Sequence, residues 1–219
     1  MKILFQGDSV TDAGRTGCNT ENLGRGYPLF VAGMLRSRYP DKGFDIVNRG
    51  IGGNRVVDLY QRWKIDALNL RPDVISILIG INDTWHEAFG NGVEVDRFEM
   101  VYRALLQWTL KVLPDVRLVL CEPFMLTASQ AAEGHTPGKN WAPCDGWDWV
   151  PEMNQRRAIV KGLADEVGAL FIPFQSILEN ALGRAPANHW LGDGVHPTPA
   201  GHALLAEEWI SAAAATLGL

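Results

Sequence analysis

The chain has 219 residues, 47% of them hydrophobic and 21% charged, with a formal net charge of −5 and a pI of about 5.5. That length suits one large domain, 1–219, with a substantial core. The acidic balance argues against nucleic acid or an anionic membrane as the main partner, because both select a basic face. The three cysteines, Cys18, Cys121 and Cys144, form no CxxC and no even framework, which is the pattern of reduced thiols in a cytoplasmic protein. Met1-Lys2-Ile3-Leu4-Phe5 reads as a strand and not as a charged-then-apolar leader with a cleavage site, and no apolar run approaches the ~18 residues of a membrane span.

Short apolar runs alternate with longer helical patterns. Strands are expected at Lys2–Gln6, Phe44–Asn48, Val74–Ile79, Val116–Cys121 and Leu170–Pro173. These runs are rich in Ile, Val, Leu and Phe with little polar alternation, as in strands buried on both faces. Helices are expected near Tyr27–Tyr39, Val56–Leu70, Asp96–Leu113, Pro151–Val167 and Thr198–Ala214, the last opened by Pro199 in its first turn. Strands separated by helices imply a parallel sheet covered on both sides, since each parallel pair needs a crossover. Between the fourth strand and the next helix, Thr127–Val150 breaks the alternation. It carries Trp141, Trp147 and Trp149, and a loop of that length in a compact domain is commonly functional.

The unusual residues follow the strands. Gly7-Asp8-Ser9 comes directly after the first, Gly52-Gly53-Asn54 after the second and Gly80-Ile81-Asn82-Asp83 after the third. In a doubly wound sheet, ligands bind beyond the carboxyl ends of the strands where their order reverses. In the order 2-1-3-4-5 the first strand lies between the second and third, so the three polar loops converge. A fourth piece, Gly192-Asp193-Gly194-Val195-His196-Pro197, stands just before the last helix. A serine nucleophile needs a base, and the base needs a group to hold its tautomer. Ser9, His196 and Asp193 meet that need. The backbone N–H groups of Ser9 and Gly53 and the amide of Asn82 supply an oxyanion hole. Asp8, Asp12 and Asp83 flank these blocks and are expected to hold the loops as hydrogen-bond acceptors.

Those four blocks, Gly7-Asp8-Ser9-Val10-Thr11-Asp12, Gly50-Ile51-Gly52-Gly53-Asn54, Gly80-Ile81-Asn82-Asp83 and Asp193-Gly194-Val195-His196-Pro197, resemble the SGNH, or GDSL-type, hydrolases in type and order. The resemblance spans nearly the whole chain. It implies a three-layer α/β/α sandwich with a five-stranded parallel sheet in flavodoxin-like order 2-1-3-4-5, and the same catalytic set of Ser9, Asp193 and His196 with Gly53 and Asn82. Gly14-Arg15, Gly24-Arg25-Gly26-Tyr27, Arg62-Trp63 and Asn82-Asp83-Thr84-Trp85 are similar to the acetyl xylan esterase branch, whose members remove acetyl groups from xylan-derived sugars. That branch carries a tryptophan segment just ahead of its triad aspartate; here the stretch is Trp190-Leu191-Gly192-Asp193, which implies a displaced pocket wall.

The expected protein is therefore an acetylesterase taking a small acetylated sugar, without metal or organic cofactor, and a homo-oligomer as others in that branch are. Trp85, Trp141, Trp147 and Trp190 are the candidate substrate contacts. The same machinery on longer acyl lipids or thioesters is an alternative, because fold and catalytic blocks do not set the acyl group. A non-catalytic carbohydrate-binding protein and a metal-dependent phosphoesterase using the aspartates as ligands are two others.

Overall fold

The computed structural model describes residues 1–16, 22–130 and 148–218. Its centre is a parallel sheet of five strands, β1 (Lys2–Gly7), β2 (Asp45–Asn48), β3 (Val74–Leu78), β4 (Arg117–Cys121) and β5 (Leu170–Ile172), in the order β2-β1-β3-β4-β5. The register pairs Leu4 with Val47 on one side and with Ile75 on the other. Strand β1 is thus central, and the order reverses there. Each expected strand is present: the first runs one residue further, to Gly7, and each of the other four is one residue shorter than expected.

Nine helices are found among the described residues: α1 (Ser9–Asp12), α2 (Tyr27–Arg38), α3 (Val56–Asp66), α4 (Ile81–Trp85), α5 (Val95–Val112), α6 (Val150–Val167), α7 (Phe174–Ala181), α8 (Ala187–Trp190) and α9 (Pro199–Leu217). The strands' period of two sorts their side chains between two cores. Ile3, Phe5, Val74, Leu78, Val119 and Cys121 pack with α2, α7 and α9. Leu4, Ile75, Ile77, Leu118 and Leu120 face the other way, onto α3, α5 and α6. This makes the three layers, and full burial of each such aliphatic side chain is worth about 1.5–3 kcal/mol.

Two of the indoles inside the layers are paired, as low dielectric favours. Trp209 Nε1 donates to Ser76 Oγ at 2.9 Å, and Trp63 Nε1 to Thr109 Oγ1 at 2.8 Å. Cys121 is a buried free thiol, pushed up to about 12 by burial. Among the described residues no helix is long and apolar enough to cross a membrane.

Candidate active site

Strand β1 ends in Gly7, where a Cβ would stand 2.4 Å from the carbonyl oxygen of Leu78 and from Thr11 Oγ1. A side chain there would push the chain off β3. The next residue, Asp8, is fully buried and accepts from the Val10 N–H at 3.0 Å, capping α1. This turn brings Ser9 to the carboxyl end of the sheet, half-buried.

The loops after β1, β2 and β3 are tied into one rim. The Ile51 N–H donates to Gly7 O at 3.1 Å, and the Gly52 N–H to Asp12 Oδ2 at 2.9 Å. Asn82 Nδ2 donates to Asn54 O at 3.1 Å, and the Val56 N–H to Asp83 Oδ1 at 3.0 Å. Arg62 reaches across from α3, donating to Asn54 Oδ1 at 2.7 Å and Gln6 Oε1 at 3.0 Å. Asp8, Asp12 and Asp83 each hold a backbone N–H, as their places beside the blocks suggested. Among the described residues no group of three His, Cys, Asp or Glu side chains is arranged to hold a metal ion.

The fourth piece is pinned by the start of α9. Thr198 caps that helix through the Gly201 N–H at 3.2 Å, and its own N–H donates to Trp190 O at 2.9 Å. Within the loop, Asp193 Oδ1 accepts from the N–H groups of Val195 and His196 at 3.0 and 2.7 Å. The other carboxylate oxygen lies 2.7 Å from His196 Nδ1. His196 Nε2 then lies 2.8 Å from Ser9 Oγ. With Nδ1 protonated and donating to Asp193, Nε2 turns its lone pair to the serine hydroxyl, the arrangement a general base requires.

Electrostatics follow the same chain. The Asp193 hydrogen bond holds His196 above its ordinary value of 6.5, against burial. Asp193 itself is pushed up by burial, but hydrogen bonds from His196 outweigh that and leave it low. Burial drives Asp8 and Asp83 up to about 7, so both carry a proton part of the time at neutral pH. The sequence pattern marked both aspartates as loop holders but not as titrating near neutrality, because complete burial is a property of the packed layers.

The residues expected as oxyanion donors lie on the same rim. Gly53 has φ +80°, a left-handed turn that favours glycine, and among the described residues its N–H makes no hydrogen bond. The N–H of neighbouring Gly52 is already held by Asp12. Gly53, rather than Gly52, is therefore the free donor. Asn82 is buried at the start of α4, with one amide hydrogen on Asn54 and the other available.

The four tryptophan expectations divide. Trp85 lies beside the site, its ring centroid 5.9 Å from that of His196 and 5.3 Å from that of Trp149. Trp149 is fully buried beneath it, with Ile81, Met125, Met153 and Val195. Trp190 is a correction. Its Nε1 donates to Ala181 O and Ala185 O at 3.2 and 3.1 Å, its ring meets Arg184 and His189, and its side chain belongs to the core under α9. A ring so enclosed anchors α8 and does not line the substrate crevice. Trp141 and Trp147 lie outside the described residues.

A doubly wound sheet with this serine, imidazole and carboxylate at its carboxyl ends defines a serine carboxylic-ester hydrolase. The pattern of the GDSL-like lipase/acylhydrolase family matches residues 5–204, and the chain belongs to that family. It is 34% identical to an acetylxylan esterase of Geobacillus stearothermophilus, over 95% of this chain and 92% of that protein. A crystal structure of the G. stearothermophilus acetylxylan esterase superposes with a TM-score of 0.81 at 32% identity, covering 100% of this chain and 94% of that one. A protein of Parabacteroides merdae described as a GDSL-like lipase gives a TM-score of 0.82 at 42% identity, covering 96% and 94% of the two chains.

Proposed function

We propose that this protein removes acetyl groups from carbohydrates through a Ser9–His196–Asp193 triad and a covalent acetyl-enzyme. The observation that carries the mechanism is the unbroken chain from Ser9 Oγ to His196 Nε2 at 2.8 Å and from His196 Nδ1 to Asp193 Oδ2 at 2.7 Å. Ser9 Oγ attacks the ester carbonyl carbon while its proton passes to His196 Nε2. The carbonyl oxygen becomes an oxyanion and is received by the N–H groups of Ser9 and Gly53 and by Asn82 Nδ2. Collapse of this intermediate breaks the bond to the sugar oxygen, which leaves with the proton from the imidazolium. Water then attacks the acetyl-enzyme, giving its proton to the same nitrogen, and acetate leaves as Ser9 is restored.

The substrate class rests on kinship with acetylxylan esterases and on the Trp85 ring beside His196. His196 must protonate the leaving alcohol, so Trp85 borders the region that a sugar occupies, and aromatic faces suit the C–H faces of a pyranose. The test is acetate release from acetylated xylo-oligosaccharides, alongside p-nitrophenyl esters from acetate to octanoate. A kcat/KM that falls with chain length, together with sugar deacetylation, is the expected result. Rates that rise toward octanoate transfer the same machinery to longer acyl esters and refute the acetyl reading.

A further inference from the structure

We infer that His86, with Phe89 beside it, forms a sugar-hydroxyl subsite on the oxyanion side of the nucleophile, an inference that rests on the carbohydrate reading above. His86 terminates α4 four residues after Asn82. Positions i and i+4 share a helix face, so the imidazole follows the oxyanion amide one turn on. The ring also borders Gly53, because a Cβ built on that glycine would lie 3.9 Å from His86 Cε1. His86 therefore adjoins both non-nucleophile donors of the oxyanion hole.

The residue is held in place by its backbone and left open at its side chain. Its N–H donates to Asn82 O and Thr84 O, and its carbonyl accepts from the Asn91 N–H at 2.9 Å. Arg55 clamps the far end of the same turn, donating through Nη1 to Asn91 O at 2.6 Å and Asn91 Oδ1 at 2.8 Å. The same guanidinium also holds Asp58, through Nε at 2.9 Å and Nη2 at 3.0 Å. Arg55 thus builds the turn, with four of its five N–H groups committed to Asn91 and Asp58. Among the described residues neither imidazole nitrogen of His86 has a hydrogen-bond partner, although the ring is only partly exposed.

Burial first, and then the Arg55 charge, hold His86 below its ordinary histidine value, with Asp58 opposing weakly. A neutral imidazole presents one donor and one acceptor, which matches a sugar hydroxyl, itself both donor and acceptor. Phe89 meets it edge-on, with ring centroids 6.4 Å apart, and is 75% exposed. An exposed aromatic face beside a two-way hydrogen-bonding group suits one face of a sugar ring.

The test compares kcat and KM of His86→Ala, His86→Gln and Phe89→Ala on acetylated xylo-oligosaccharides and on p-nitrophenyl acetate. Both substrates give the same acetyl-enzyme, but only the first carries sugar hydroxyls. In His86→Ala the ratio of the two kcat/KM values should fall about three- to tenfold, the loss of one or two hydrogen bonds, and the fall should lie in KM for the sugar ester. Glutamine, which keeps a donor and an acceptor, should recover part of it, and Phe89→Ala should lower the same ratio. An unchanged ratio, including one where both substrates lose activity equally, assigns His86 a structural role and overturns the subsite alone. A wild-type enzyme that cleaves p-nitrophenyl acetate but no acetylated sugar overturns the substrate class and this subsite with it.

Discussion

Replacing Asp8 by asparagine should stabilise the protein, and by more as pH rises. Asp8 is fully buried next to the nucleophile, and burial raises its carboxyl from 3.8 to about 7. The sign follows from proton binding. Between those two values the folded state holds a proton that the unfolded state has released. The stabilisation from this group is complete below the unfolded value and is lost as pH rises through the folded one. A shift of roughly 3 units corresponds to about 4 kcal/mol at most, of which roughly 2–3 kcal/mol falls between pH 5 and pH 9.

Asparagine imitates the protonated acid and retains an oxygen for the Val10 N–H, so it removes this slope without removing the cap. The assay is thermal unfolding of wild type and Asp8→Asn across that range. The Tm difference should widen in favour of the variant by roughly 5–10 °C toward alkaline pH, at about 2–4 °C per kcal/mol for a domain of this size. The Asp8 charge also favours the protonated form of His196, so the acid limb of kcat/KM should move to lower pH in the variant. A Tm difference that stays constant with pH would refute the claim that a buried, titrating carboxylate lies under Ser9.

Ser9→Ala and His196→Ala should each fold and each lose kcat on the order of 10⁶, with the double variant no worse, because triad members act as a unit; fully additive losses in steady-state kinetics contradict the shared mechanism. Asn82→Ala should lower kcat by about 10²–10³ with little change in KM, since its amide meets charge that exists only near the transition state; a KM effect with kcat preserved assigns it to substrate binding instead. In wild type the acid limb of kcat/KM should titrate above 6.5, because the Asp193 hydrogen bond raises His196 and only the neutral imidazole accepts the serine proton. Asp193→Asn should remove that upward shift and sharply reduce kcat, and a profile flat down to pH 4 would exclude histidine as the base.

What the sequence by itself determined is what repeats or what must sit at a strand end. Five apolar runs separated by helical patterns specify a covered parallel sheet, and all five strands and the five long helices form where those patterns lie. Ser9, Gly53 and Asn82 were legible because polar and glycine residues directly after buried strands have few structural reasons to be there, and Asp193 and His196 because a carboxylate three residues before an imidazole on a glycine-containing loop can orient it. The short helices α1, α4, α7 and α8 were not, since four to eight residues hold too few turns for a period to show. They form because caps and tertiary contacts close them, as Asp8 does for α1.

Only the tertiary structure decided what each isolated aromatic or titratable residue does. Trp85 and Trp190 each stand near a catalytic block in sequence, yet one ring lies beside His196 and the other is enclosed under α9. The choice between Gly52 and Gly53 turned on one long-range hydrogen bond, from the Gly52 N–H to Asp12. His86 shows no partner pattern along the chain, and only the turn that seats it against Gly53 gives it a place at the site. The upward shift of Asp8 has the same origin. Desolvation and long-range contact depend on what surrounds a group from every direction, and a linear pattern records only the neighbours along one.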